Sequence, residues 1–91
     1  MSSASARVEI QNVMGIHLRP ASSIVQIANQ YPDCEVELSK DGQSVNGRSI
    51  MGVIMLAAEQ GSIVDIKVTG DGCEDLLKEI VELIDGKFGE E

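Results

Sequence analysis

The stretch Met14-Gly15-Ile16-His17-Leu18-Arg19-Pro20-Ala21 marks where a strand-like run hands over to a helix-like one, and it holds the only histidine in the chain. Gly15 permits a sharp turn, because a residue without Cβ tolerates positive φ. Pro20 suits a first helical turn: its φ is fixed near the helical value and its missing N–H would have found no partner there. The residue before a proline is biased away from the α region, so Arg19 is a candidate boundary. Downstream, Ala21, Ile24, Val25, Ala28 and Tyr31 recur at helical spacing with Ser22, Ser23, Gln26, Asn29 and Gln30 between them, and Pro32 supplies a stop. Helix N-termini carry unpaired N–H groups and a partial positive charge. A histidine there, followed by an arginine, is a place where a phosphoryl group can be held.

Working outward, residues 7–13 predict a half-buried strand, with Val8 and Ile10 on one face and Arg7, Glu9 and Gln11 on the other. Beyond the helix, Val36 and Leu38 alternate with Glu35, Glu37 and Ser39. Asp41-Gly42 is a hairpin signal, with 43–46 as the return strand. Ser49 is placed to cap a short helix through about Ala58. That segment is apolar on every side, and its pattern alone does not separate a buried helix from a strand. If helical, it cannot bury every face in so small a chain, and some of Ile50, Met51 and Ile54 stay exposed as a partner surface. Val64, Ile66 and Val68 alternate with Asp65, Lys67 and Thr69, the clearest strand in the chain. A last helix over 73–85 carries Leu76, Leu77, Ile80, Val81 and Ile84, with Glu74 and Asp75 in its first turn where the macrodipole favours acids. Gly86 ends it, and the tail through Gly89-Glu90-Glu91 is expected to fray.

The order β-α-β-β-α-β-α, with amphipathic helices and half-polar strands, predicts an α+β fold of two layers: an antiparallel sheet with helices on one side. At 91 residues the chain is expected to be a single domain, 1–91, and with aromatics at 2% its core must be aliphatic. A formal net charge of −8 argues against a nucleic-acid partner and against an anionic membrane surface. No apolar run is long enough to span a bilayer and the first residues lack a signal-peptide core, so a cytoplasmic protein is expected. Cys34 and Cys73 have no metal-ligand spacing and do not resemble a disulfide framework; two small, semi-buried thiols are expected, and no metal site.

Several chemistries lack their residues. There is no phosphate-binding G-x-x-x-x-G-K-[ST] loop, no C-x-x-C and no H-E-x-x-H. One histidine with no nucleophile-base-orienter set gives hydrolytic catalysis little support. What remains is a nucleophilic imidazole, neutral in large part at neutral pH, that takes a phosphoryl group covalently beside Arg19. On residue type alone, a histidine at a helix start is more often a cap or a surface residue.

The block Gly15-Ile16-His17-Leu18-Arg19-Pro20-Ala21 closely resembles the active-site signature of the HPr family, the histidine-containing phosphocarriers of the bacterial sugar phosphotransferase system. A second block, Arg48-Ser49-Ile50-Met51-Gly52-Val53, resembles that family's regulatory serine segment. The resemblance runs from about Arg7 to Ile84. It implies an open-faced β-sandwich, a four-stranded sheet of order 1-4-2-3 covered on one side by three helices. It implies no cofactor and no enzyme activity of the chain's own, but a covalent phosphohistidine. His17 would accept phosphate on Nδ1 from phosphorylated enzyme I and pass it to sugar-specific IIA proteins, with Arg19 stabilising the group. Ser49 matches the serine modified by HPr kinase/phosphorylase. Leu18, Ser22, Arg48, Ile50, Met51 and Ile54 match the docking surface. The alternative within the family is a mainly regulatory protein, read through Ser49 by a transcription regulator, with little sugar transport. Leu18 stands where the family usually has alanine, Ala57 where it often has glycine, and the loop 31–35 is slightly long.

Overall fold

A computed structural model describes residues 2–90. The chain runs β1 (Ser3–Glu9), α1 (Leu18–Asn29), β2 (Glu35–Lys40), β3 (Gln43–Asn46), α2 (Ile50–Met55), β4 (Ile63–Thr69) and α3 (Glu74–Asp85), followed by a 3₁₀ turn, Lys87–Gly89. The four strands form one antiparallel sheet of order β1-β4-β2-β3. This is the two-layer, open-faced arrangement expected from the alternation of strands and amphipathic helices.

The period-2 pattern sets the faces. Val8, Val36, Leu38, Val64, Ile66 and Val68 point inward and are buried against Ile24, Ala28, Leu76, Ile80 and Ile84 of α1 and α3. Their neighbours Arg7, Glu35, Glu37, Asp65 and Lys67 lie on the open face. There Arg7 and Asp65 are register partners, and Arg7 Nε donates to Asp65 Oδ1 at 2.8 Å. That bond holds the Asp65 carboxyl below its ordinary range. At the β2–β3 hairpin, Asp41 and Gly42 both take positive φ, 53° and 83°, as the Asp-Gly signal requires.

Four sequence expectations need correction. β1 begins at Ser3 and ends at Glu9, earlier than the 7–13 expected. Ser3 to Ala6 have small side chains that give no alternating signal, but their backbone pairs with Thr69 to Ile66 of β4. α2 is helical but stops at Met55, because Ala57 turns left-handed with φ 55°. Cys34 and Cys73 form a disulfide, with their Cα atoms 5.9 Å apart, and no described cysteine is free. The tail does not fray at Gly89 and Glu90: Phe88 is buried in the core and Glu90 is hydrogen-bonded. Glu91, the end of that expectation, lies outside the described residues.

Candidate functional site

His17 is the N-cap of α1. Its backbone is extended, φ −109° and ψ −165°, and its side chain makes no capping bond to the helix. The ring is therefore not spent on capping. Its side chain is one-third exposed, at 33%. The His17 carbonyl accepts Ala21 N at 3.0 Å, which starts the helix. Helix geometry leaves the amides of Leu18 and Arg19 without intrahelical acceptors, and Pro20 has none to offer. The first turn holds no acidic residue to compete for them. Arg19 is within the helix rather than at its boundary, and its side chain is exposed.

The turn before His17 is built on two residues. Gly15 has φ 66°, and a Cβ there would stand 2.5 Å from Ala58 O. The adjacent amide, Ile16 N, donates to that same carbonyl at 2.8 Å. Glycine is thus needed both for the backbone sign and for the close approach. Asn12 is fully buried; its Nδ2 donates to Gly15 O at 2.7 Å and to Glu90 Oε1 at 3.0 Å. Its Oδ1 is buried without a partner.

Glu90 closes the site from the far end of the chain. Its Oε2 lies 2.9 Å from His17 Nε2. Hydrogen bonding from Asn12 first, then the His17 bond and the charges of His17 and Arg19, hold its carboxyl below the ordinary carboxylate range, against the opposing effect of burial. Sequence reasoning missed both partners. Asn12 falls near the end of the strand expected over 7–13, and Glu90 in the tail expected to fray. The one local signal was Phe88, the sole phenylalanine of an aromatic-poor chain, set just before Glu90.

Large apolar side chains stand exposed in the loop before α1, at the start of α1 and on α2. Leu18 is 63% exposed and Met51 65%, and Met14, Val13 and Met55, not anticipated, are at least as exposed. Ser22, Ile50 and Ile54 are half-buried. Arg48 differs: its Nη1 donates to Ala28 O, Tyr31 O and Cys34 O at 2.8–3.1 Å, so the guanidinium is turned into the α1 C-terminus. Ser49 caps α2, with its Oγ accepting Gly52 N at 3.1 Å. No group of three or more metal-ligating side chains occurs among the described residues, and no helix among them is long and apolar enough to cross a membrane.

Comparison with known proteins agrees with this geometry. Residues 4–86 match the family model described as PTS HPr component phosphorylation site. The chain is 37% identical over 83 residues to the phosphocarrier protein HPr of Neisseria meningitidis, covering 91% of this chain and 92% of that one. It is 38% identical over 84 residues to the HPr of Pseudomonas aeruginosa, covering 91% and 92%. The crystal structure of HPr-C-His from Thermoanaerobacter tengcongensis superposes with a TM-score of 0.90 at 40% identity, over 97% of this chain and 98% of that one. With a sheet of order β1-β4-β2-β3, a match to the family model over most of its length and relatives of this identity, the chain is a member of the HPr family, the phosphohistidine-forming phosphocarriers of the phosphotransferase system.

Proposed function

We propose that His17 is the residue that carries the phosphoryl group, taking it from phosphorylated enzyme I and giving it to sugar-specific IIA proteins. The observation that carries this reading is the placement of the chain's one imidazole at the N-cap of α1, one-third exposed and making no capping bond. Such a ring is free to react, and the first-turn amides with the exposed Arg19 supply positive charge for a phosphoryl group. Transfer between histidines is close to thermoneutral, so the domain needs no hydrolytic machinery; it presents the group on a rigid helix end. Leu18 and Met51, with Met14, Val13 and Met55 added, form the apolar face on which both partners dock, and methionine adapts to two different surfaces. The cytoplasm is where such a relay operates.

Ser49 is the second modification position in this proposal. A phosphate there adds about −1.5 to −2 charge beside the docking face. It would disfavour enzyme I and suit a partner with a basic surface, such as a transcription regulator recruited after HPr kinase/phosphorylase acts.

Incubation with phosphoenolpyruvate and enzyme I tests the first part. Acid-labile, base-stable phosphate that disappears in His17→Ala is the expected result. Acid-stable phosphate on Ser49 alone, formed with ATP and the kinase, would favour the mainly regulatory alternative instead.

A further inference from the structure

Glu90 reaches His17 on a backbone that is costly to form. Lys87, Phe88 and Gly89 have φ of 59°, 56° and 76° in succession. A left-handed conformation is unfavourable for a residue with a Cβ, which it brings too close to the following carbonyl oxygen. Burial of Phe88 in the core, and the bonds Gly89 N to Gly86 O at 3.1 Å and Glu90 N to Lys87 O at 2.8 Å, hold the turn in place. Its product is a carboxylate fixed at both oxygens, Oε1 on Asn12 and Oε2 on His17. Strain of this kind, repaid by the surrounding structure, is a mark of a functional position.

The chemistry of the contact fixes a proton. An ionised carboxylate only accepts hydrogen bonds. A 2.9 Å approach between Oε2 and Nε2 therefore puts the ring hydrogen on Nε2. In the neutral imidazole the lone pair then lies on Nδ1. We propose that Glu90 is a positioning residue for phosphoryl transfer: its carboxylate keeps the proton on Nε2 of His17, leaves Nδ1 as the nucleophile, and retains that proton after the phosphoryl group arrives. This rests on His17 being the carrier.

The transfer balances without moving a proton. The Nδ1 lone pair forms the new N–P bond while the N–P bond of the donor phosphohistidine breaks, its electron pair returning to the donor ring nitrogen. The product ring, phosphorylated at Nδ1 and protonated at Nε2, is cationic and faces the Glu90 carboxylate. When it gives the group away, a neutral imidazole leaves. Without the Nε2 proton the leaving group would be an imidazolate, and transfer would slow. The groups acting on the Glu90 carboxylate are Asn12 from the β1–α1 loop, and His17 and Arg19 at the start of α1.

The test uses the full chain phosphorylated with phosphoramidate, a small donor that needs no enzyme I, with the position of the phosphate read by phosphorus and nitrogen NMR. Phosphate loss is then followed across alkaline pH for wild type, Glu90→Gln and Glu90→Ala. Glutamine keeps an acceptor but removes the charge. We expect the pH at which loss slows to fall by about one unit in both variants, the size of effect an opposing charge at this range produces. A uniform slowing at every pH with an unmoved midpoint would mean a merely structural role and would overturn the proposal, as would profiles that superimpose. No phosphate on His17 of the wild type, from phosphoramidate or from enzyme I, would overturn the carrier reading and this one with it.

Discussion

Ala57 ends α2 at φ 55°, where a Cβ costs roughly 1–2 kcal/mol relative to glycine. Its carbonyl accepts Lys40 Nζ at 3.0 Å, which holds the turn despite that cost. Ala57→Gly should therefore stabilise the protein, by about 0.5–1 kcal/mol once the greater freedom of glycine in the unfolded chain is subtracted. A urea midpoint that stays put or falls would count against the strain. Tyr31 offers a second test. Its phenol donates to Glu79 Oε2, joining the end of α1 to α3. That bond first, then burial and the acidic charges of Glu79 and Asp75, push its pKa up to about 12 from 10.0. A raised value means the contact contributes stability that is fully present below the ordinary phenol range and is lost as pH rises through about 12. It is the only tyrosine, and there is no tryptophan, so absorbance near 295 nm reports it alone. The midpoint should lie near 12 in wild type and move toward 10 in Glu79→Gln. Placements that depend on close neighbours in sequence, such as Gly15 in its turn, His17 and Pro20 at the start of α1 and Ser49 as a cap, were legible beforehand. Asn12 and Glu90 were not, because the contact that gives them meaning spans 78 positions.

Elements were legible where a period ran unbroken. α1, β2, β4 and α3 lie within a residue or two of their expected ends, because each repeats one apolar spacing throughout, and β3 follows from the Asp41-Gly42 turn before it. The misplacements fall where side chains carry no signal: the small residues at the start of β1, and the uniformly apolar run that hid the end of α2. Arg48 shows a different gap. The family resemblance placed it on the docking surface, yet its guanidinium bonds to the carbonyls of Ala28, Tyr31 and Cys34. It thereby joins the start of α2 to the end of α1, with its positive charge at the helix terminus the macrodipole favours. Ala28 O and Tyr31 O also accept backbone amides, from Tyr31 and Cys34, whereas the arginine is the partner seen for Cys34 O. Arg48→Met, which keeps the aliphatic stem, should cost about 1–3 kcal/mol in chemical denaturation. If Arg48 acts only on partners, that variant would bind enzyme I more weakly with no change in stability.

Across the whole molecule, the disulfide is where topology carried information that spacing did not. Cys34 and Cys73 are 39 residues apart, with nothing in between to suggest a bridge. The expected sheet order makes β2 and β4 neighbours, and their register pairs Glu35 with Thr69. The residue just before β2 and the turn just after β4 must then meet, and Cys73 sits there as the N-cap of α3. Gly70 completes the junction: at φ 135° it leaves room where a Cβ would come within 2.8 Å of Cys73 Sγ and 2.9 Å of Asp33 O. Following the predicted strand order through to its consequences would have pointed to the pair; counting cysteines did not. A crosslink closing a loop of this length restrains the unfolded chain by about 4 kcal/mol in the chain-entropy account. Cys34→Ser with Cys73→Ser should accordingly lower Tm by roughly 15 °C or more. Both cysteines are buried, Cys34 at 5% and Cys73 at 1% exposure, so an attacking thiolate reaches the sulfurs only when the structure opens. With excess dithiothreitol, reduction of the native protein should be many-fold slower than reduction in urea. Equal rates would mean that this corner of the fold opens locally and that the bond is not protected by the core; a Tm unchanged in the double serine variant would mean that it does not restrain the chain at all.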